Sequence, residues 1–270
     1  KMNGDEEQKS KEELRVQGFF KKSYDEKPLI SIITVVFNGD KFLEETMLSV
    51  INQNYSNVEY IIIDGASTDG TIDIIKKYED KIDYWVSEKD SGIYDAMNKG
   101  ILASNGDYIN FMNAGDFFTR INLVNDIVDI LNSEEIDLLY GDVYKGSGNY
   151  TSCNIKHKTQ FVYRTICHQA IFADKICFDK NMFDIKYQWL ADYKWLLECF
   201  FYKNIKKKYI KKEICYFEPT NNCQKRDMQL KRLSERALIG QKYFFNFEKF
   251  LFDINQLRLV IKFKYFWKNI

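Results

Sequence analysis

The sequence predicts an α/β domain: a mostly parallel central sheet flanked by helices, with a helical C-terminal extension. Apolar, β-branched runs alternate with segments whose apolar residues recur at helical spacing. The connections between them are short, as in a chain that winds strand, helix, strand. With 270 residues, 45% of them hydrophobic, the chain can bury one substantial core.

Residues 1–27 are rich in Lys, Glu, Asp, Gln and Ser with few apolar anchors. They read as a charged arm, either a frayed helix or a segment lying over the domain. From Pro28 the texture changes, and residues 29–37 have the pattern of a strand buried on both faces. Asn38-Gly39-Asp40 ends that strand, and Phe42, Leu43, Met47, Val50 and Ile51 mark a helix. The unit then repeats: strand 58–63, loop 64–70, helix 71–79, strand 84–86, loop 87–91, helix 92–104, strand 108–112, loop 113–117. In such a sheet ligands sit beyond the carboxyl ends of the strands, which places the loops after residues 63 and 112 at the site.

After Asn125 come a helix, a short strand at 138–140, a polar segment near 141–160 and an apolar block at 169–173. The alternation breaks down there, so antiparallel strands are expected to build an acceptor-side wall. Residues 191–202 read as an amphipathic helix with Asp192 in its first turn, where helix capping alone would explain a carboxylate. Residues 241–270 mix aromatic residues with lysines and Arg258. Such a tail suits an anionic membrane surface, and docking on the domain or on a second subunit suits it equally. The expected division is an arm at 1–27, a catalytic domain at 28–220 and a helical aromatic and basic extension at 221–270.

Thirty-nine basic residues balance thirty-nine acidic ones, so no global field points to nucleic acid as a partner. The six cysteines show no CxxC pair and no zinc-like spacing to the two histidines, which fits free thiols in a reducing cytoplasm. No apolar stretch is long enough to span a bilayer, and the charged N-terminus is not signal-like, so a cytoplasmic location, with attachment to the inner membrane surface left open, is expected.

The chemistry is concentrated in acidic loops. Neither GxGxxG after the first strand nor GxxxxGK[ST] occurs, which disfavours dinucleotide-binding and P-loop enzymes. Asp64 and Asp69 follow the second strand and Asp116 follows the fourth. Acidic loops suit ribose hydroxyls, base N–H groups and hard divalent cations, which in turn neutralise a diphosphate.

Five motifs then occur in one order: Ser31-Ile32-Ile33-Thr34-Val35-Val36-Phe37-Asn38, Asp64-Gly65-Ala66-Ser67-Thr68-Asp69-Gly70-Thr71, residues 87–100 including Asp90, Asp95 and Asn98, Asn113-Ala114-Gly115-Asp116, and His168-Gln169 with Ala191-Asp192-Tyr193. Over residues 28–220 the chain resembles the GT-A-fold glycosyltransferases of family 2, in the branch that carries NAGD. The resemblance implies a nucleoside diphosphate sugar donor, a glycan or lipid-linked acceptor, Mg²⁺ or Mn²⁺, inversion at the anomeric carbon, and a place in bacterial surface polysaccharide synthesis.

It also implies roles for single residues. Asp64 matches the carboxylate that grips base and ribose, against an ordinary Asx-turn. Asn38, Asp69, Asp90 and Asp95 match the donor-binding set, although Asp69 and Asp95 are equally suited to helix starts. Asn98 matches an Asn that braces the loop. Asp116 matches the last acid of the metal-holding motif, with Asn113 in place of the first acid on the donor side. Asp192 matches the catalytic base, and His168-Gln169 a pair near the acceptor or diphosphate. Many relatives carry a Gly-Gly-x-Ser-like loop where residues 218–223 stand here, which separates this chain from them on the acceptor side. Two alternatives stay open: a sugar nucleotidyltransferase, for which a Gly-rich, Arg-containing first loop is missing, and a non-catalytic glycan-synthesis partner.

Overall fold

The computed structural model describes residues 8–9, 14–15, 17–146, 148–178, 182–201, 204–217, 226–244, 252–253 and 255–256. Among them the strands are β1 (Gln8–Lys9), β2 (Ile30–Val36), β3 (Val58–Asp64), β4 (Tyr84–Ser87), β5 (Tyr108–Phe111), β6 (Phe117–Phe118), β7 (Leu138–Lys145), β8 (Asn149–Thr151), β9 (Ile171–Asp174) and β10 (Lys207–Phe217). The helices are α1 (Leu43–Ile51), α2 (Thr71–Lys77), α3 (Ile93–Ala103), α4 (Leu123–Ser133), α5 (Ala191–Phe201) and α6 (Arg226–Tyr243).

The strands form one sheet in the order β1-β4-β3-β2-β5-β9-β7-β10-β6, with β8 paired to β7. β4, β3, β2 and β5 are parallel to one another, and β7 and β10 pair in parallel. β9 runs antiparallel to both β5 and β7, so it is a single reversed strand between two sets that point the same way. The short strands β1, β6 and β8 add antiparallel pairings at the rims. The result is a parallel central half continued by the antiparallel pairings expected for the second half.

Every residue of β2 and β3 is buried, because helices cover both faces and each Ile or Val side chain stabilises by about 1.5–3 kcal/mol when it leaves water. α3 packs tightly on this centre through Gly100: a Cβ there would lie 2.4 Å from Cγ2 of Ile33.

In the described part of the N-terminal arm, Arg15 and Lys21 fasten to the amino ends of the parallel strands, while β1 pairs with Val86 and Ser87 at the carboxyl end of β4. Arg15 pairs with the buried Glu59 at 2.5 Å, and Glu59 also accepts from Ser31 Oγ and from the backbone and side chain of Asn105. Lys21 reaches Asp83 at 2.8 Å and the carbonyl of Val58 at 2.6 Å. Burial pushes the Glu59 pKa up, but the Ser31, Asn105 and Arg15 interactions together outweigh it and hold the carboxyl below its ordinary value.

Of the C-terminal extension, α6 packs on the domain, while residues 257–270, and with them most of the aromatic and basic tail, lie outside the described residues. Residues 218–223 also lie outside them. Cys153, Cys167, Cys177, Cys199 and Cys215 are free thiols. No helix among the described residues is long and apolar enough to cross a membrane.

Candidate active site

The parallel strands deliver their carboxyl ends to one rim, and the reversed β9 brings its amino end, with the short turn His168–Ala170, to the same place. Two linked clusters result.

The first is built on the loops after β2, β3 and β4. Asp64 is fully buried and accepts from Ser67 N (2.9 Å), Ser67 Oγ and Ser87 Oγ (both 2.5 Å). Ser67 Oγ in turn accepts from Asn38 N, and Asn38 Oδ1 accepts from Thr68 N at 2.9 Å, with Asn38 at a left-handed φ of 49°. Asp64 and Asn38 therefore lock the first two loops together. Asp90 lies directly over Gly65, where a Cβ would stand 2.6 Å from its Oδ2, so any larger residue would push the Asp90 carboxylate aside. The same Cβ would be 3.4 Å from the ring of Phe37, which is 65% exposed at the cluster's mouth.

Asp69 and Asp95 are each engaged at a helix start. Asp69 accepts from Thr71 N, Thr71 Oγ1 and Asp40 N. Desolvation acts upward on its pKa, and those bonds outweigh it, so its carboxyl sits below the ordinary value. Asp95 accepts from Ser91 N at 2.9 Å, a reach back across the first turn of α3. Asn98, one turn further along α3, exchanges two hydrogen bonds with the backbone of Phe183 and braces that segment.

The second cluster joins β5, β9 and α5. Asp116 is buried and accepts from Gln169 Nε2 at 2.7 Å, while its own N–H donates to the carbonyl of Asn113. Asn113 Nδ2 lies 2.9 Å from His168 Nε2, and His168 Nδ1 lies 3.1 Å from Asp192 Oδ2. With the amide nitrogen donating to Nε2, the imidazole carries its proton on Nδ1 and donates it to Asp192. Asn113, His168 and Asp192 thus form one chain, with Gln169 holding Asp116 beside it.

Asp192 opens α5, and its Oδ1 accepts from Tyr94 OH (2.7 Å) and Tyr193 N (2.8 Å). Burial pushes the Asp192 pKa up, but the hydrogen bond from His168, then those from Tyr94 and Tyr193, outweigh it and leave it lowered. Tyr94 is pushed well above the usual phenol value, by burial first and by the Asp192 charge second.

Three contributors had no assigned role in the sequence reading. Tyr94 and Phe37 sit inside quoted motifs, where an aromatic residue reads as core packing. The third, Glu235 on α6, accepts from Gln188 N, Trp189 N and Leu190 N at 2.7–3.0 Å, satisfying the backbone just before α5. A carboxylate on an exposed-looking helix gives no sequence signal for that. Its neighbour Arg236 donates to the carbonyls of Phe161 and Val162 and stands 4.6 Å over the Tyr193 ring.

Two side-chain oxygens next to Asp116, Asn113 Oδ1 and Gln169 Oε1, are buried with no hydrogen-bond partner. With the Asp116 carboxylate they could offer oxygen ligands only, the chemistry that suits a hard divalent cation. No group of three His, Cys, Asp or Glu residues among the described residues could hold a metal, so the amides are what the site offers in place of further acids.

A sheet of this topology, with acidic loops at the carboxyl ends of its strands, is the frame of a GT-A nucleotide-sugar transferase. Two solved structures share it at 14% identity: S. aureus TarS 1-349 in complex with UDP (TM-score 0.62, 86% of this chain and 70% of that one) and the mannosyltransferase PcManGT from Pyrobaculum calidifontis in complex with GDP-Man and Mn²⁺ (TM-score 0.61, 84% and 68%). Residues 31–215 match the family described as Glycosyl transferase family 2, and the chain belongs to that family. It is 30% identical over 179 residues to a PGL/p-HBAD biosynthesis glycosyltransferase of Mycobacterium bovis, covering 64% of this chain and 70% of the relative. A glycosyltransferase of Haemophilus influenzae is 34% identical over 132 residues, 48% of this chain and 50% of its own.

Proposed function

We propose that this glycosyltransferase is inverting, and that it moves a sugar from a nucleoside diphosphate donor to a hydroxyl of a glycan or lipid-linked acceptor in bacterial surface polysaccharide synthesis. One arrangement carries the proposal: a single lowered carboxylate, Asp192, joined through one imidazole to Asn113 on the donor side. A carboxylate that stays ionised can accept the acceptor hydroxyl's proton, and a single base opposite the leaving group gives inversion in one displacement.

The donor is assigned to the first cluster. Asp64 lies beneath the base and ribose and holds Ser67 and Ser87 in the loops that meet them, Asp90 faces them over Gly65, Asn38, Asp69 and Asp95 shape the loops around them, and the exposed Phe37 ring offers the base a flat apolar face. Mg²⁺ or Mn²⁺ would be held by Asp116 with the Asn113 and Gln169 amide oxygens, and when bound it supplies charge stabilisation to the departing diphosphate. His168 and Gln169 then divide their work: Gln169 fixes Asp116, and His168 fixes Asp192. A structural relative solved with UDP-GlcNAc and another solved with GDP-Man and Mn²⁺ support a nucleotide-sugar donor. The mycobacterial relative, named for PGL/p-HBAD biosynthesis, supports a lipid-linked or glycan acceptor.

The test is a panel of UDP-, GDP- and dTDP-sugars, screened for binding with and without Mn²⁺ and for release of free nucleoside diphosphate. Asp192→Asn should bind the donor as wild type does and lose turnover by about 10²–10⁴-fold. Unchanged turnover in that variant, or no donor binding by wild type, would remove the proposal.

A further inference from the structure

Resting on the reading of Asp192 as the general base, we propose that Tyr94 is its positioning residue. The Tyr94 hydroxyl, with Tyr193 N–H, occupies Oδ1 of Asp192, so that Oδ2 is the oxygen that takes the acceptor's proton.

Tyr94 lies in the first turn of α3, directly after the loop that carries Asp90 over Gly65. Its ring is buried against Phe183, with centroids 5.5 Å apart, and Asn98 on the same helix fixes the Phe183 backbone in both directions. The hydroxyl therefore cannot swing away. It has one proton and two acceptors in reach, Asp192 Oδ1 at 2.7 Å and the carbonyl of Trp189 at 3.1 Å. The shorter, charge-assisted bond to the carboxylate takes the proton.

Oδ1 then accepts two hydrogen bonds, from Tyr94 OH and Tyr193 N, while Oδ2 accepts one, from His168 Nδ1. Oδ2 keeps a lone pair for chemistry. In the transfer step the acceptor hydroxyl's proton moves to Oδ2, and the acceptor oxygen's electron pair forms the bond to the anomeric carbon. The bond from that carbon to the diphosphate oxygen breaks, and its pair stays on the diphosphate. Tyr94 contacts neither sugar nor diphosphate in this step; it aims the carboxylate and keeps it ionised.

The same contact joins the two clusters by a second route. α3 begins in the donor loop and ends its first turn on the base, so an element shaped by the donor side sets the rotation of Asp192 about its χ2. Among the described residues, the charged and titratable groups facing the Asp192–Tyr94 pair are His168 from the turn before β9 and, from α6, Arg232, whose charge reaches the Tyr94 hydroxyl. Arg236 lies over the neighbouring Tyr193 ring.

The experiment uses Tyr94→Phe in the full chain, which keeps the ring and its packing and deletes only the hydroxyl. Asp192 is followed by ¹³Cγ NMR, with its resonance identified by its absence in Asp192→Asn. Losing a donor to the ionised form should move the titration midpoint upward. With UDP-GlcNAc and GDP-mannose as probes and Mn²⁺ present, nucleoside diphosphate release should fall by about tenfold or more, the acid limb of its pH profile should move to higher pH, and donor Kd should hold. A midpoint and acid limb identical to wild type would overturn the role of Tyr94 while leaving Asp192 as base. Turnover that survives Asp192→Asn would instead overturn the reading beneath it. If neither probe is turned over, the NMR midpoint alone decides: an upward shift supports the positioning role and an unmoved midpoint ends it.

Discussion

On the proposed assignment, Asn113 is the residue on which the metal side and the base side of the site meet. Its Oδ1 is unpartnered beside Asp116, and its Nδ2 donates to His168. Asn113→Asp therefore changes both sides at once, in opposite directions. A second carboxylate should lower the Mn²⁺ concentration needed for donor-dependent stabilisation, read as the midpoint of a Mn²⁺ titration. The same carboxylate has no proton for Nε2, so the imidazole must carry two and become a cation beside Asp192. That makes Asp192 a weaker base, and turnover at saturating metal should fall by about tenfold. At this scale the carboxylates and their loops were legible in the sequence because each lies in a contiguous motif after an apolar run. Tyr94 was not, because a tyrosine in the first turn of an amphipathic helix looks like packing until the partner of its hydroxyl, 98 residues away, is known.

Among the elements, α6 and the N-terminal arm hold the domain from outside the five motifs. Glu235→Ala removes the acceptor of three backbone N–H groups ahead of α5 and should cost about 1–3 kcal/mol in urea unfolding, with turnover falling further than donor affinity because Asp192 opens that helix. The arm's latch predicts a pH dependence. Glu59 is lowered in the folded state, so its contribution is present above the ordinary carboxylate range and is lost as pH falls through the folded value. Glu59→Gln should flatten the acid side of a stability-against-pH curve, and Arg15→Ala should lower stability by about 1–3 kcal/mol at neutral pH. The parallel half of the sheet was legible because both faces of β2 and β3 are covered and most of their residues are apolar and β-branched. β10 was not, since its lysines and alternating burial hide a strand that is half at the surface. Strand β7 runs five residues beyond the predicted 138–140 because Asp142 is satisfied by Tyr150, Tyr209 and Cys153 N and can be buried in mid-strand.

For the molecule as a whole, donor and metal should stabilise as any ligand of the native state does. At a donor concentration about a hundred times its Kd the gain is about 2.7 kcal/mol, worth roughly 5–10 °C in Tm for a domain of this size. Asp116→Ala should abolish the part of that shift that depends on Mn²⁺, measured by thermal melting with UDP or GDP. The order of the sheet has a further consequence for how the chain is made. The strands on either side of β9, β5 and β7, are already synthesised before residues 171–174 exist, and they have no ladder with each other. A nascent chain halted before residue 171 carries the parallel strands through β5 and the separate β7–β8 pair, and the arrival of β9 joins the two while setting His168 and Gln169 in the rim; β10, and β6 paired to it, can be added only later. Joining the two parts of the sheet and placing His168 and Gln169 are in that sense one event, so a chaperone that shields exposed strand edges is needed on the β5 edge until residues 171–174 emerge and on the β7 edge until β10 follows.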